Sequence, residues 1–229
     1  MANLYIVSTP IGNLKDLTLR ALEILAQVPV IACEDTRKTS QLLTHFNIKK
    51  NQELISFFEG NENARIPQII SKLLAGKDVA LVSNSGTPTI SDPGFKLVRA
   101  ATQAGIKVVP IPGASAALAA LVASGLPTDK FLFLGFLPKK PSHRKKFLKD
   151  NIKPNLTTII YLSPHRILPE LKDLQETTGD IEVVVCRELT KVFEEIKREK
   201  ISKLIDFFEK NKPKGEYTLI FNFQIPIKN

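Results

Sequence analysis

The sequence predicts an α/β protein with two domains, each built around a β-sheet. Two observations support this prediction: strand-like and helix-like runs alternate along the chain, and a single break interrupts this alternation near the middle. The 229 residues have an ordinary globular composition, with 43% hydrophobic and 24% charged residues. A chain of this size buries a sizeable core and needs no disulfide or metal to fold.

The first half of the chain predicts a mostly parallel sheet with helices on both faces. Five apolar, β-prone runs alternate with five helical patterns. The strands are expected at 4–8, 29–33, 54–58, 79–83 and 107–111, and the helices at 18–27, 36–45, 62–75, 92–104 and 114–123. Thr18 and Asp35 each stand where a helix N-cap is expected.

The break lies at residues 124–130, SGLPTDK, where Gly125 and Pro127 interrupt the pattern. We therefore predict an N-terminal α/β domain at 1–123 and a C-terminal α/β domain with a mixed sheet at 124–229. In the second domain the strands are expected at 131–136, 157–162, 181–187 and 216–223, and helices after Pro164 and at 201–210.

The charge of the chain favours a polyanionic partner. It carries 32 Lys and Arg against 23 Asp and Glu, net +9, of which residues 1–120 contribute +3 and residues 121–229 contribute +6. The run KKPSHRKK at 139–146 is expected to contact RNA phosphates. Its candidates are Lys139, Lys140, Arg144, Lys145 and Lys146. The alternative is a lysine-rich, solvated surface and loop.

Several functional classes are excluded or disfavoured. Cys33 and Cys186 lie in apolar runs without CxxC spacing, which indicates two reduced, buried thiols. The chain shows no signal-like start and no long apolar run, so we expect a cytoplasmic protein that does not enter a membrane. The three histidines are dispersed and HExxH is absent, so no metal site is expected.

The loops after the strands predict a small-molecule pocket. They read TPIGNL at 9–14, EDTRKTS at 34–40, SNSGTPTISDPG at 83–94 and PGASAA at 112–117. Ligands bind at the carboxyl ends of strands in such sheets, and glycines such as Gly86 and Gly113 let backbone approach a ligand closely. GxGxxG, Walker A and GxSxG motifs are absent. The alternative is a set of tight connections without a ligand.

These motifs together resemble one family. STPIGNLKDLTLRALE, CEDTRKT, LVSNSGTPTISDPGFKLVRAA, PIPGASAALAALVASGLPTDKFLFLGFLP, YLSPHR and CRELTK follow in order over nearly the whole chain. They are similar to the motifs of the ribosomal small-subunit RNA ribose 2′-O-methyltransferases within the tetrapyrrole-methylase superfamily, which modify a decoding-region cytidine. The chain departs from the family at Asn84-Ser85, usually Asp-Ala, and at Gly60, usually a histidine.

The resemblance implies S-adenosylmethionine as methyl donor, bound in a cleft between two tetrapyrrole-methylase-like α/β domains. It also implies a homodimer, and 16S rRNA or the small ribosomal subunit as substrate. By motif match, the donor pocket would use Pro10, Ser83, Asn84, Ser85, Gly86, Thr87, Pro112, Gly113, Ala114, Ser115, Ala116, Leu162 and Ser163.

Methyl transfer to a ribose hydroxyl needs in-line alignment and an acceptor for the hydroxyl proton. Glu34, Asp35 and Arg37 follow a strand end, where they are expected to orient the nucleotide or accept the proton; the alternative is that Asp35 caps the next helix. Glu188 and Lys191 are further candidates, and Lys191 requires a pKa lowered by desolvation.

Two other functions fit the sequence. One is a methylase of the same superfamily that acts on a small tetrapyrrole, which the basic run and the TPIGNL loop disfavour. The other is a non-catalytic RNA-binding homologue, for which Asn84 and Gly60 are the supporting positions.

Overall fold

The computed structural model describes residues 2–49 and 51–223 and divides into two compact units, Met1–Ser115 and Ala116–Asn229. The division falls before the helix Ala116–Ser124, whereas the sequence pattern placed the domain boundary after it. Ala117, Ala120 and Leu121 of this helix pack on buried residues of the second sheet, so the helix belongs to the second unit.

The first unit is a five-stranded parallel sheet with strand order β3-β2-β4-β1-β5. The strands are β1 (Asn3–Val7), β2 (Val30–Cys33), β3 (Glu53–Ser56), β4 (Val79–Val82) and β5 (Lys107–Ile111). The helices are α1 (Leu19–Gln27), α2 (Thr36–His45), α3 (Glu62–Leu74) and α4 (Phe95–Gln103), and a short 3-10 turn spans Leu14–Asp16.

The alternation of side chains along each strand divides the core of this unit between the two faces of its sheet. Leu4 and Leu81 pack on one side with residues of α3 and α4, while Val7 and Ala80 pack on the other side with residues of α1 and α2. The near-continuous apolar strands of the sequence are thus buried on both faces, as a parallel sheet requires.

The second unit is a mixed five-stranded sheet with strand order β6-β7-β10-β8-β9. Its strands are β6 (Phe131–Phe136), β7 (Thr157–Leu162), β8 (Glu182–Arg187), β9 (Glu195–Lys200) and β10 (Tyr217–Asn222). Its helices are α5 (Ala116–Ser124), α6 (Pro141–Asn151), α7 (Ile167–Thr178) and α8 (Ile201–Lys210). Strands β6 and β7 are parallel and the other pairs are antiparallel.

The faces of the second sheet carry different helices. One face packs against α6, α7 and α8 through residues such as Leu148, Leu171 and Phe208. The other face packs against α5, where the buried Cys186 lies.

Cys33 is likewise a buried, free thiol, as the sequence predicted, and burial raises the pKa of both cysteines. None of the described helices is both long and apolar enough to cross a membrane.

A buried carboxylate in the second unit links its stability to pH. Glu170 on α7 is 1% exposed and lies 3.3 Å from the guanidinium of Arg166, but neither carboxylate oxygen accepts a hydrogen bond of good geometry from the described residues. Burial therefore dominates over the attraction of Arg166 and Arg144 and raises the pKa of Glu170 to about 7.

We predict that stability falls between pH 4.5 and 7 because the unfolded chain releases the Glu170 proton in this range while the folded chain keeps it. The loss should reach up to about 3 kcal/mol at roughly 1.4 kcal/mol per pKa unit. Urea unfolding across this range should show a flatter profile for Glu170→Gln. Glu176→Gln is the matched control, because Lys145 lowers the pKa of Glu176 out of this range. Parallel profiles for the parent and Glu170→Gln would contradict the assignment.

Candidate functional site

The loops that follow the parallel strands of the first unit meet at one edge of its sheet, since all five strands run in the same direction. The loops after β1 and β4 are joined by two backbone hydrogen bonds between Thr9 and Gly86, 2.8 and 3.0 Å long. The Thr87 hydroxyl joins them to the third loop, lying 3.0 Å from the Ser8 hydroxyl and donating to the Ala114 carbonyl over 3.1 Å. The structure therefore brings together the predicted donor loops of this unit.

Hydrogen bonds within these loops fix their shape. The Ser83 hydroxyl donates to the Ser85 carbonyl at 3.2 Å, and the Thr9 hydroxyl donates to the Ser83 carbonyl at 3.2 Å. The side chain of Asn84 makes no hydrogen bond with the described residues. The loops thus present small side chains, backbone groups and one free amide, a surface suited to a polar small molecule.

The glycines of these loops also have a role in the backbone itself, and the close approach of Gly86 and Gly113 to a ligand stays a prediction. Gly86 has a φ of +81°, a conformation that other residues rarely adopt, and a Cβ on Gly113 would lie 2.8 Å from the Cβ of Ser8. Both positions therefore need glycine for the loops to meet at the end of β1.

Glu34 connects the EDTR segment to the donor loops. It follows β2 directly, and its Oε2 accepts a hydrogen bond from the backbone N–H of Asn84 at 3.2 Å. This places a carboxylate beside Asn84. Of the predicted catalytic residues in the first unit, Glu34 is the one bonded to a donor loop.

Asp35 and Arg37 bond to each other. Asp35 is the N-cap of α2, where its carboxylate accepts from the backbone N–H of Arg37 at 2.9 Å and from the Arg37 guanidinium at 3.2 and 3.0 Å. The side-chain hydrogen bonds from Arg37 lower the pKa of Asp35 to about 2, which makes it a weak proton acceptor. The geometry supports the helix-cap alternative for Asp35.

Sequence reasoning missed Glu62, which is 6% exposed. This first residue of α3 accepts a hydrogen bond from the backbone N–H of Gly94 at 2.9 Å and pairs with Lys96 at 3.3 Å. It thereby fixes the far end of the SNSGTPTISDPG loop. A glutamate in the first turn of a helix is ordinarily exposed and favoured by the helix dipole, so the sequence gave no sign of its burial.

The RELTK segment of the second unit is held by a small ion cluster. Lys191 lies 2.9 Å from both Glu188 and Glu216, and the Glu188 carboxylate also accepts from the Glu216 backbone N–H at 2.8 Å. Partial burial opposes the charged form of Lys191, but the two carboxylates outweigh it and raise its pKa. The lowered pKa that a lysine base requires is therefore absent, which corrects that expectation.

Backbone strain concentrates in the motif loops. In the described part of the chain six non-glycine residues have positive φ, and four of them lie in two loops: Thr89 and Ser91 after β4, and Glu188 and Thr190 after β8. Such conformations are unfavourable for β-branched residues and tend to cluster at functional sites.

The basic run is only partly available to a partner. Residues 141–151 form α6, and Arg144 on this helix is 2% exposed. Its guanidinium lies 2.6 Å from the Asp173 carboxylate and donates to the carbonyl of Lys139 at 3.2 Å. Arg144 is therefore a buried structural residue, which corrects its assignment to RNA contact.

Of the other cations of the run, Lys139, Lys140 and Lys146 are exposed and Lys145 is half-buried, and two of the four are paired. Lys145 pairs with Glu176, and Lys146 pairs with Asp150 at 3.0 Å. Lys139 and Lys140 form no ion pair with the described residues. Contact of these four lysines with RNA stays a prediction, as do all the predicted donor contacts, including those of Pro10, Ala116, Leu162 and Ser163.

Comparison with known proteins identifies the family. The family model of the tetrapyrrole (corrin/porphyrin) methylases matches residues 3–205. The chain belongs to the tetrapyrrole methylase family. This confirms the resemblance seen in the motifs and agrees with the two α/β units.

In the described residues, no group of three His, Cys, Asp or Glu side chains could hold a metal ion.

Several curated relatives of this methylase share one name. Ribosomal RNA small subunit methyltransferase I of Vibrio cholerae is 50% identical over 220 residues, which are 95% of this chain and 76% of that protein. The protein of the same name from Thermotoga maritima is 46% identical over 222 residues, which are 97% of this chain and 99% of that protein.

Solved structures show the same fold at low identity. Diphthine synthase matches with a TM-score of 0.72 and 16% identity, covering 96% of this chain and 90% of that chain. Cobalt precorrin-4 methyltransferase matches with a TM-score of 0.69 and 19% identity, covering 95% and 94%. These matches establish the fold of the methylase and nothing further.

We predict that Arg144→Ala lowers the free energy of unfolding by about 3–5 kcal/mol, because it leaves the buried Asp173 carboxylate with only the more distant ammonium of Lys145, at 3.8 Å. The paired variant Arg144→Met/Asp173→Leu should recover part of the loss. The exposed neighbour Lys146→Ala is the control and should change stability by less than about 1 kcal/mol. Equal effects of Arg144→Ala and Lys146→Ala in urea unfolding would disprove the structural role of Arg144.

Proposed function

We propose that this protein transfers a methyl group from S-adenosylmethionine to the ribose 2′-hydroxyl of a cytidine in the decoding region of 16S rRNA. The main support is the set of relatives named ribosomal RNA small subunit methyltransferase I, with 45–50% identity over at least 95% of this chain. The net charge of +9 suits an RNA substrate. A ribosomal substrate also places the activity in the cytoplasm.

The residues of the first unit fit the donor. Its amino acid and nucleoside parts are polar, and the loops at 83–87 and 112–115 offer small residues, backbone groups and the free amide of Asn84. S-adenosylmethionine, when bound, supplies an activated methyl group on a positively charged sulfur. Glu34 brings a carboxylate to these loops, where negative charge complements the positive charges of the donor.

The contribution of the chain to catalysis is mainly positioning. Bonds between Ser8, Thr9, Gly86, Thr87 and Ala114 hold the loops in place before a ligand arrives. Preorganised loops reduce the entropy that must be lost to align the reacting groups. Among the carboxylates of the EDTR segment, Glu34 is our candidate for orienting the nucleotide or accepting its proton, because Asp35 is occupied by Arg37.

A homodimer is part of the proposal. The exposed face of α5 carries Leu118 and Val122, one helical turn apart and 51% and 76% exposed. Exposed apolar side chains that adjoin on a helix favour association with another surface.

The proposed activity can be tested with purified small ribosomal subunits and donor labelled in its methyl group. We expect the label in 16S rRNA, at a nucleotide whose backbone linkage resists alkaline hydrolysis, because this cleavage requires a free 2′-hydroxyl. Label in an alkali-sensitive nucleotide would mean methylation of a base. Donor binding in calorimetry without transfer to RNA would favour a small-molecule methylase, and absence of donor binding would favour a non-catalytic homologue.

Glu34→Gln should reduce the single-turnover methylation rate by roughly 10²-fold or more, the range of a positioned acid–base group. The glutamine keeps an acceptor for the Asn84 N–H while removing the charge, so the melting temperature should not change. The adjacent Asp35→Asn is the matched control and should affect the rate little. A normal rate in Glu34→Gln together with a slow Asp35→Asn would transfer the role to Asp35.

A further inference from the structure

The second unit contains a cavity that the proposed donor and catalytic residues do not use. It measures about 220 Å³ and lies among α8, the β8–β9 hairpin and the segment leading into β10. A water molecule occupies about 30 Å³ in the liquid, so a larger group fits. Four basic residues and several aromatic rings line it, among them Arg187, Lys197, Lys212, Lys214 and Phe207.

The charges around the cavity are unbalanced. Glu195 is the one acidic residue in its lining and is paired with Lys197 at 3.0 Å. The Arg187 guanidinium donates from its Nε to the Lys214 carbonyl at 2.9 Å and forms no ion pair within 4 Å with the described residues, although its charge also acts on the Glu188 carboxylate. Lys212 and Lys214 are exposed and form no ion pair with the described residues. Arg187, Lys212 and Lys214 are therefore able to bind an anion in the cavity.

The cavity combines these cations with an aromatic wall. Phe207 is 38% exposed, and the ammonium of Lys197 lies 3.9 Å from the centre of its ring. Phe208 and Tyr217 also line the cavity but are only 5% and 6% exposed, so Phe207 provides most of the accessible aromatic surface. Cationic groups beside aromatic surface are typical of sites for single-stranded nucleic acid, in which phosphates meet the cations and bases meet the rings.

The cavity lies at the edge of its sheet where β7 and β8 end and the SPHR and RELTK segments begin. Tyr217, in its wall, is in register with Leu162 at the end of β7 and with Arg187 at the end of β8. The segments SPHR and RELTK start at these two strand ends. An RNA strand that reaches the motif loops of this unit therefore passes near the cavity.

We infer that this cavity binds one nucleotide of single-stranded RNA, with its phosphate on Arg187, Lys212 and Lys214 and its base against the aromatic wall. The inference rests on the proposed function, because it takes the RNA substrate from it. It assigns a contact to the flanking RNA and not to the nucleotide that receives the methyl group.

The test measures binding of a short, fluorescein-labelled, single-stranded RNA of decoding-region sequence by anisotropy over a series of salt concentrations. Lys212→Ala/Lys214→Ala should weaken binding and lower the log–log salt slope by about 0.7 for each lost phosphate contact. The matched control is Lys130→Ala/Lys203→Ala, which removes two exposed lysines of the same unit outside the cavity. It should leave the slope near that of the parent.

Phe207→Leu keeps the charges, so it should lower affinity at least about fivefold without changing the slope. Melting temperature and donor binding should match the parent in all three variants. Equal slopes for the two lysine pairs would overturn the inference. So would binding of cytidine monophosphate as tight as that of the RNA, since the cavity would then be a free-nucleotide site.

Methylation of small subunits by the parent is measured in the same series. Methylation together with equal slopes for the two lysine pairs refutes the cavity site and leaves the proposed function standing. A slope change confined to the Lys212 and Lys214 pair, without any methylation, supports the cavity site and refutes the proposed function.

Discussion

The paired backbone hydrogen bonds between Thr9 and Gly86 are the constraint on which the candidate site of the first unit depends. They join the loop after β1 to the loop after β4, two neighbouring strands whose carboxyl ends meet at one edge. The hydroxyls of Ser8 and Thr87 then extend the connection to Ala114. Because parallel strands place all their carboxyl ends together, these few bonds join three separate connections into one surface.

In the second unit, buried charged side chains hold a loop in place, as the backbone hydrogen bonds do in the first unit. Arg144 bonds to the carbonyl of Lys139 while its charge is balanced by Asp173, and Arg166 donates to the carbonyl of Leu137 at 3.2 Å. The segment that leaves β6 is thus fixed by two guanidinium groups. Burial of ions costs solvation free energy, so such a cluster contributes more to a defined loop conformation than to net stability.

The fold was largely predictable because it follows from periodicity, whereas parts of the candidate site were not. Apolar runs predicted nine of the ten described strands. The tenth, β9, was missed because its sequence, EIKREK, is mostly charged. Charged residues are common on edge strands, and β9 lies at the edge of its sheet. The cap at Asp35 followed from local chemistry. The burial of Glu62 and of Arg144 depends on partners 32 and 29 residues away, and no local pattern contains that information.

The fate of the basic residues shows why composition alone overstates a binding surface. Arg144 is buried and paired with Asp173, and Lys145, Lys146 and Lys191 are paired with carboxylates. A paired lysine must give up its partner before it can meet a phosphate, whereas an unpaired one gains an ion pair at no such cost. The cations that can contribute most to RNA affinity are therefore the exposed, unpaired ones, and Lys212 and Lys214 have this property beside an aromatic cavity. The net charge of the chain does not reveal this difference, because it depends on which carboxylates lie within reach of each cation.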